Sequence, residues 1–178
     1  MNNIEYYKKP LRLFKGEHLT NEEFKRITPF KQVPVMVEET QGEQWVLYQS
    51  TAILRYLCET RKVDDHWYPK QLTQRAHVDM FLDWYHSTLR PNMIGFLSAK
   101  YMEPRLFGTE SNIEKVLFYK EKMHEAFQQM QDFWLKNSQY LCGSQMTIAD
   151  IIGACEIYQY KFGSEEEFAI KENYPLIA

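Results

Sequence analysis

Three scarcities in this 178-residue sequence remove whole classes of function. Cysteine comes first: Cys58, Cys142 and Cys155 are odd in number and unclustered, and no Cys-x-x-Cys is present. That excludes a disulfide framework and a thioredoxin-type dithiol. With their apolar, helix-patterned neighbours, the three are expected to be reduced core thiols without a metal role. Long apolar runs are also missing. None approaches the ~20 residues that cross a bilayer, so no membrane span is expected. The opening Met1-Asn2-Asn3-Ile4-Glu5 does not resemble a signal peptide. Positive charge is not in excess. Lys and Arg number 21 against 24 Asp and Glu, a formal net charge of −3. No broad basic field exists to hold nucleic acid by its phosphates. What the chain does have is 44% hydrophobic and 25% charged residues, the balance of a core-burying protein. Aromatics at 15%, with 12 Tyr and 11 Phe, argue against disorder. The length admits one large domain or two small ones.

Along the chain the patterning changes once. Residues 6–13 suggest a short strand, which Pro10 confines to a sheet edge. Thr20-Asn-Glu-Glu23 has the form of a capping box, predicting a short helix to about Ile27. Two prolines bracket the irregular Thr28–Pro34. Val35–Val37 and Trp45–Tyr48 are β-rich, with Gly42 midway in the polar stretch that joins them, and predict an antiparallel hairpin. Ser50 is then placed as an N-cap of a helix running to about Thr60. Residues 61–69 form a charged, aromatic linker. Beyond it only long helices are expected. One stripe is Ala76, Met80, Phe81, Trp84 and Thr88. Another is Ile113, Val116, Leu117, Met123, Phe127, Met130 and Trp134, and the loop between the two holds Pro104 and Gly108. Thr147-Ile-Ala-Asp150 is a second capping box, opening a helix that Gly163 ends.

Five stretches, taken in this order, resemble the theta-like glutathione transferase family. They are Phe14-Lys-Gly-Glu-His18-Leu, Thr28-Pro-Phe-Lys-Gln-Val-Pro34, Tyr48-Gln-Ser-Thr-Ala-Ile-Leu-Arg-Tyr-Leu57, Asp65-His-Trp-Tyr-Pro69 and Leu141-Cys-Gly-x-x-x-Thr147-Ile-Ala-Asp150. The resemblance covers nearly the whole chain. It implies an α/β thioredoxin-like N-terminal domain, lacking the family's first strand and helix, followed by an all-α glutathione transferase C-terminal domain. The implied divisions are 1–61, a linker at 62–69, and a truncated helical domain at 70–178. Tyr174-Pro-Leu-Ile-Ala178 resembles the start of the family's eighth helix.

The resemblance also implies a ligand, glutathione, bound as substrate. A tripeptide with two carboxylates and an amine needs anion sites and a backbone partner. A helix N-terminus offers unspent N–H groups and a positive dipole end. Ser50 stands at one, either as a cap alone or as a donor to the γ-glutamyl carboxylate. Val33, ahead of a Pro34 that the family pattern makes cis, is placed to present its N–H and C=O to the cysteinyl unit. His18 and Gln32 are implied for the glycyl end. Gln49 stands where the family usually carries an acid facing the γ-glutamyl amine. A charge-assisted bond is roughly twice as strong as a neutral one, so weaker glutathione affinity follows.

No catalytic residue is assigned within the chain: by resemblance the activating serine belongs to a helix expected upstream of Met1. A thiol of pKa ~8.5 needs such help to react at neutral pH. Tyr6 and Tyr7, on the expected edge strand, lie away from the thiol. Two functions are carried forward. One is a cytoplasmic transferase joining glutathione to a small electrophile, with Tyr85, Arg90 and Met93 as candidates for the electrophile pocket. The other is a non-catalytic structural or interaction subunit of a larger assembly. A homodimer or protein assembly is expected in either case, and without its first strand the sheet would need completion by a longer polypeptide or by neighbouring chains.

Overall fold

The computed structural model describes residues 2–163 and 168–177; Met1, residues 164–167 and Ala178 lie outside the described residues. The chain forms two compact units, Met1–Asp64 and Asp65–Ala178.

The N-terminal unit holds α1 (Glu17–Thr20), α2 (Glu22–Ile27), β1 (Val35–Thr40), β2 (Glu43–Tyr48) and α3 (Ser50–Thr60). A two-residue turn joins the strands, with Gln41 at φ 55° and Gly42 at φ 85°. Positive φ at both central residues matches the right-handed twist of a hairpin, and glycine reaches it without steric cost. The register runs from Val35↔Tyr48 to Thr40↔Glu43. Side chains alternate between the two faces. On one face Trp45 meets Tyr56 of α3 with ring centroids 4.5 Å apart, and Glu38 pairs with Arg61 at 2.9 Å. On the other, the Tyr48 hydroxyl donates to the Ile27 carbonyl at 2.8 Å, and its ring stands edge-on to Phe30.

Three expectations for this unit need correction. The α2 cap is one residue later than the capping box suggested: Asn21 Oδ1 accepts the Phe24 N–H at 2.9 Å, and Thr20 ends α1 instead. An Asx side chain caps as well as a hydroxyl does, so both residues were sterically eligible. Residues 6–13 form no strand. Pro10 cannot donate to a ladder, and Tyr6 and Tyr7 are exposed at 78% and 103%. Ser50 is the first helical residue rather than the cap. Gln49 occupies the cap position, at φ 70° and ψ 118° with no side-chain cap bond.

The helical unit opens with a 3₁₀ turn at Asp65–Trp67 that buries Trp67. Its helices are α4 (Leu72–Trp84), α5 (Arg90–Leu97), α6 (Glu103–Phe107), α7 (Ile113–Gln129), α8 (Ile148–Ile157) and α9 (Ile170–Asn173). Widened π turns extend α4, α5 and α7, at Tyr85–Leu89, Ser98–Met102 and Met130–Trp134. The first two have a sequence cause. Each is followed, after one intervening residue, by a proline: Pro91 and Pro104. Proline lacks an N–H and its ring collides with the carbonyl four residues back, so the helix widens rather than stops. Pro104 therefore lies inside a helix, not in a loop. Gly108 ends that helix at φ 64°, donating to the Pro104 carbonyl at 2.9 Å.

The buried face of α4 and its π turn is Val78, Phe81, Leu82, Tyr85 and Leu89, while Ala76 and Met80 are exposed. Both stripes have helical spacing, so periodicity alone could not choose the face. On α7 the inner residues hold as expected through Met123, Phe127, Met130 and Trp134, whereas Ile113 and Leu117 are exposed. Phe81 lies edge-on to Trp134 at 5.1 Å. The Thr147 box forms: Asp150 accepts the Thr147 N–H at 2.7 Å and the Leu141 N–H at 2.8 Å, fastening the preceding loop to α8. A 3₁₀ turn at Tyr158–Phe162 continues α8 to Gly163. Pro175–Ile177 make a turn, with the Ile177 N–H donating to the Tyr174 carbonyl at 2.9 Å, and Ala178 lies outside the described residues.

Of the cysteines, Cys58 and Cys142 are half-buried, and burial pushes their thiols up to about 11 and about 12. Cys155 is exposed, against the core placement expected of it. Among the described residues no His, Cys, Asp and Glu cluster could hold a metal ion, and no helix is long and apolar enough to cross a membrane.

Candidate functional site

The hairpin register decides which predicted residues meet. Val35 pairs with Tyr48, so Val33-Pro34, just before β1, and Gln49-Ser50, just after β2, emerge at the same end of the sheet. The Val33–Pro34 peptide bond is cis. Val33 is 43% exposed, and Gln32 and Gln49 are also exposed. Tyr48 ties this end to the segment after α2 through Ile27 and Phe30.

At the start of α3 the Ile53 N–H donates to the Gln49 carbonyl at 3.0 Å. The Ser50 N–H lies ahead of that ladder and is not spent on it. Ser50 thus reaches the helix tip by a different route from the one its side chain suggested. The turn is made by the strained backbone of Gln49. A non-glycine residue at positive φ costs on the order of 1–3 kcal/mol and concentrates at ligand clamps.

His18 is half-buried on α1, and its Nδ1 is buried without a hydrogen-bond partner. Buried polar atoms are almost always paired, so an orphaned one calls for an explanation such as a bound group. Of the five predicted residues, Gln32, Val33, Gln49 and Ser50 gather at the hairpin end. His18 stands apart on its own element.

The helical unit holds a polar cluster that sequence reasoning missed. Glu156 on α8 is 2% exposed, yet the residues around it are mostly apolar. Arg90 Nη1 donates to Glu156 Oε1 and Oε2 at 3.2 and 3.0 Å and to Gln159 Oε1 at 3.4 Å. The Tyr85 hydroxyl donates to Glu156 Oε2 at 3.1 Å. Burial holds the Glu156 carboxyl above its ordinary range, opposed by Arg90 and Tyr85. Burial likewise raises the Tyr85 hydroxyl, with Glu156 adding to it. A signal was available: Glu156 follows Ile152 by four residues, on the buried face of the most apolar helix. Tyr85 and Met93 are core side chains, 6% and 0% exposed. Arg90 remains.

A small α/β unit with a cis-proline hairpin end, ahead of an all-helical unit, defines a class: the thioredoxin-like domain joined to a helical transferase domain. Comparison with known proteins agrees. The family model described as "Glutathione S-transferase, N-terminal domain" matches residues 3–60, and that of the "C-terminal domain" matches residues 89–178. The chain belongs to the glutathione S-transferase family, and it is theta-like.

Rat glutathione S-transferase theta-1 is 35% identical over 156 residues, which are 88% of this chain and 63% of that protein. Rat theta-2 is 35% identical over 158 residues, 89% of this chain and 62% of that protein. The chain therefore spans less than two thirds of the length of these curated relatives. Human glutathione transferase theta-2, solved in complex with glutathione and an unknown ligand, superposes with a TM-score of 0.86 at 29% identity, covering 99% of this chain and 70% of that one. The apo human T1-1 enzyme gives 0.76 at 27% identity, covering 99% and 80%.

Proposed function

We propose that this protein is a theta-like glutathione transferase that joins the glutathione sulfur to a small electrophile. The observation that carries the reading is the shared hairpin end: an exposed valine backbone before a cis proline beside a helix tip with an unspent amide. Glutathione lies there with its cysteinyl unit along Val33, as a short extra strand would. The γ-glutamyl carboxylate meets the Ser50 N–H and hydroxyl at the positive end of α3, and its amine meets Gln49. The glycyl carboxylate falls to His18 and Gln32, which gives the orphaned Nδ1 a partner when that nitrogen carries the proton. The thiol must react as thiolate. The activating hydroxyl is not assigned to any residue of this chain. The electrophile side belongs to the helical unit, with Arg90 as its cation.

The functional division proposed is 1–61, 62–69 and 70–178, in a cytoplasmic protein that pairs with itself or joins an assembly. A second reading, a non-catalytic interaction subunit, draws on Gln49, whose neutral amide replaces a charge-assisted contact. Retention on immobilised glutathione, with calorimetry on the eluted protein, separates the two. The transferase reading expects retention, and a several-fold tighter affinity in Gln49→Glu. Failure to bind glutathione would leave only the interaction subunit.

A further inference from the structure

We infer that residues 168–177 form a strap latched to α7 by His124, and that protonation of the imidazole releases it. Side chains dock the strap on the rest of the helical unit. Phe168 is fully buried, edge-on to Phe96 at 5.5 Å, and Ile170 is buried beside it. Tyr174, also buried, stacks on His124 with ring centroids 5.9 Å apart and stands edge-on to Phe127 at 5.4 Å. The Leu176 N–H donates to Gln131 Oε1 at 3.3 Å. Between the first two plugs Ala169 lies at φ 44° and ψ 43°. A non-glycine residue keeps this left-handed conformation only when its surroundings over-determine it, and Phe168 and Ile170 do so from both sides. At four residues, α9 is too short to persist once its side chains leave the core. The strap is thus held by its anchors against a backbone that resists.

The Tyr174 hydroxyl has one proton and two acceptors in reach, His124 Nδ1 at 2.7 Å and the His124 carbonyl at 3.4 Å. The shorter contact takes the proton, so the neutral ring accepts at Nδ1. Protonation of the ring puts a second donor there. The hydroxyl can then turn only to the more distant carbonyl, and a charged ring is left half-buried. Among the described residues no carboxylate is bonded to the ring to offset that cost. On α7 itself Lys120 adds repulsion, while Glu121 and Glu125 are exposed. The strap brings the Tyr174 hydroxyl and, on α9, the exposed Lys171 and Glu172. Release also opens a cleft of about 280 Å³, which Leu176 and Ile177 line together with Met130, Leu135, Leu141 and Ile157.

Amide hydrogen exchange on the whole chain, corrected for the intrinsic pH dependence of exchange, tests the latch. The Tyr174 and Leu176 amides are expected to be less protected than those of Phe81 and Leu82 in α4. Dilute urea should leave their exchange unchanged, as local opening requires. The docked strap favours the neutral ring, and the open strap returns it to the ordinary 6.5. Opening should therefore be constant above that pH, rise about tenfold per pH unit below it, and level off beneath the docked value.

In His124→Gln the pH dependence should disappear while the strap still opens locally. Strap amides as protected as those of α4 overturn the inference, and so does a pH response that survives the substitution. Should that variant fail to fold, the His124 ring resonances of wild type decide. Their titration midpoint is expected where strap opening levels off; a mismatch between the two overturns the latch.

Discussion

The two units of this molecule are stabilised by different means. Among the described residues of the N-terminal unit the only buried ones are two threonines, Thr28 and Thr51; its described apolar side chains are half-buried or exposed. All the buried apolar residues among those described belong to the helical unit, from Trp67 to Tyr174. The orphaned buried polar atoms divide the other way: His18 Nδ1, Thr28 Oγ1 and Glu38 Oε2 are all in the N-terminal unit. Backbone ladders, caps and surface ion pairs shape the first unit, and packed aromatic and aliphatic side chains shape the second. A unit that spends little surface on a core keeps its backbone groups available, which suits a site that binds a peptide by its main chain. The helical unit supplies cohesion.

The sharpest way to break this contrast is to truncate one apolar side chain in each unit. Phe81→Ala removes a fully buried ring that contacts Trp84 and Trp134, and should cost ~3–5 kcal/mol in urea unfolding followed by far-UV circular dichroism. Val37→Ala on the hairpin, where the side chain is 42% exposed, should stay within ~0.5 kcal/mol. Similar losses at the two sites would dissolve the distinction.

Next in size is Gly95→Ala. A methyl there overlaps the Tyr119 ring, where α5 packs on α7. Overpacking of this kind costs roughly 1–3 kcal/mol and should lower the thermal midpoint of the helical unit. Gly42→Ala tests the other unit by backbone alone. No atom lies near enough to obstruct the methyl, so any loss, about 1–2 kcal/mol, comes from the left-handed conformation itself. Unchanged stability there would show that the turn relaxes freely.

The smallest effect concerns pH. His124 Nδ1 is 2.7 Å from the Tyr174 hydroxyl, and burial, with Lys120 nearby, holds its imidazole below the ordinary 6.5. The folded state therefore favours the neutral ring. The stabilisation is fully present above 6.5 and is lost as the pH falls through the lower folded value. Unfolding of wild type against His124→Gln across that window should show a steeper acid decline in wild type. Parallel curves would remove His124 as the cause.

Much of the fold was legible in the sequence because its signals are local. Val35–Val37 and Trp45–Tyr48 with Gly42 specify a hairpin, and Thr147 with Asp150 specifies a helix start. Legibility failed where two neighbours were equally eligible. Thr20 and Asn21 can each cap, and two stripes on α4 have the same period. It failed again where a proline usually marks a loop: Pro104 was assigned to one, whereas a widened turn let the helix continue around it. Within the candidate site, the family resemblance pointed to Val33, Gln49 and Ser50, but not to how Ser50 reaches the helix tip. That depends on the φ of Gln49, which no residue code displays. Glu156 was overlooked because a lone acid among apolar neighbours looks like an interruption until its partners are known.

The sequence by itself determined the hairpin and its turn and the start of the helix at Thr147, because each follows from the conformational limits of a few adjacent residues. Only the tertiary structure decided which helical face is buried, which residues share the hairpin end, and that Glu156, Arg90 and Tyr85 meet. Those outcomes depend on contacts across tens of residues, and close packing selects among alternatives that local preferences leave nearly equal.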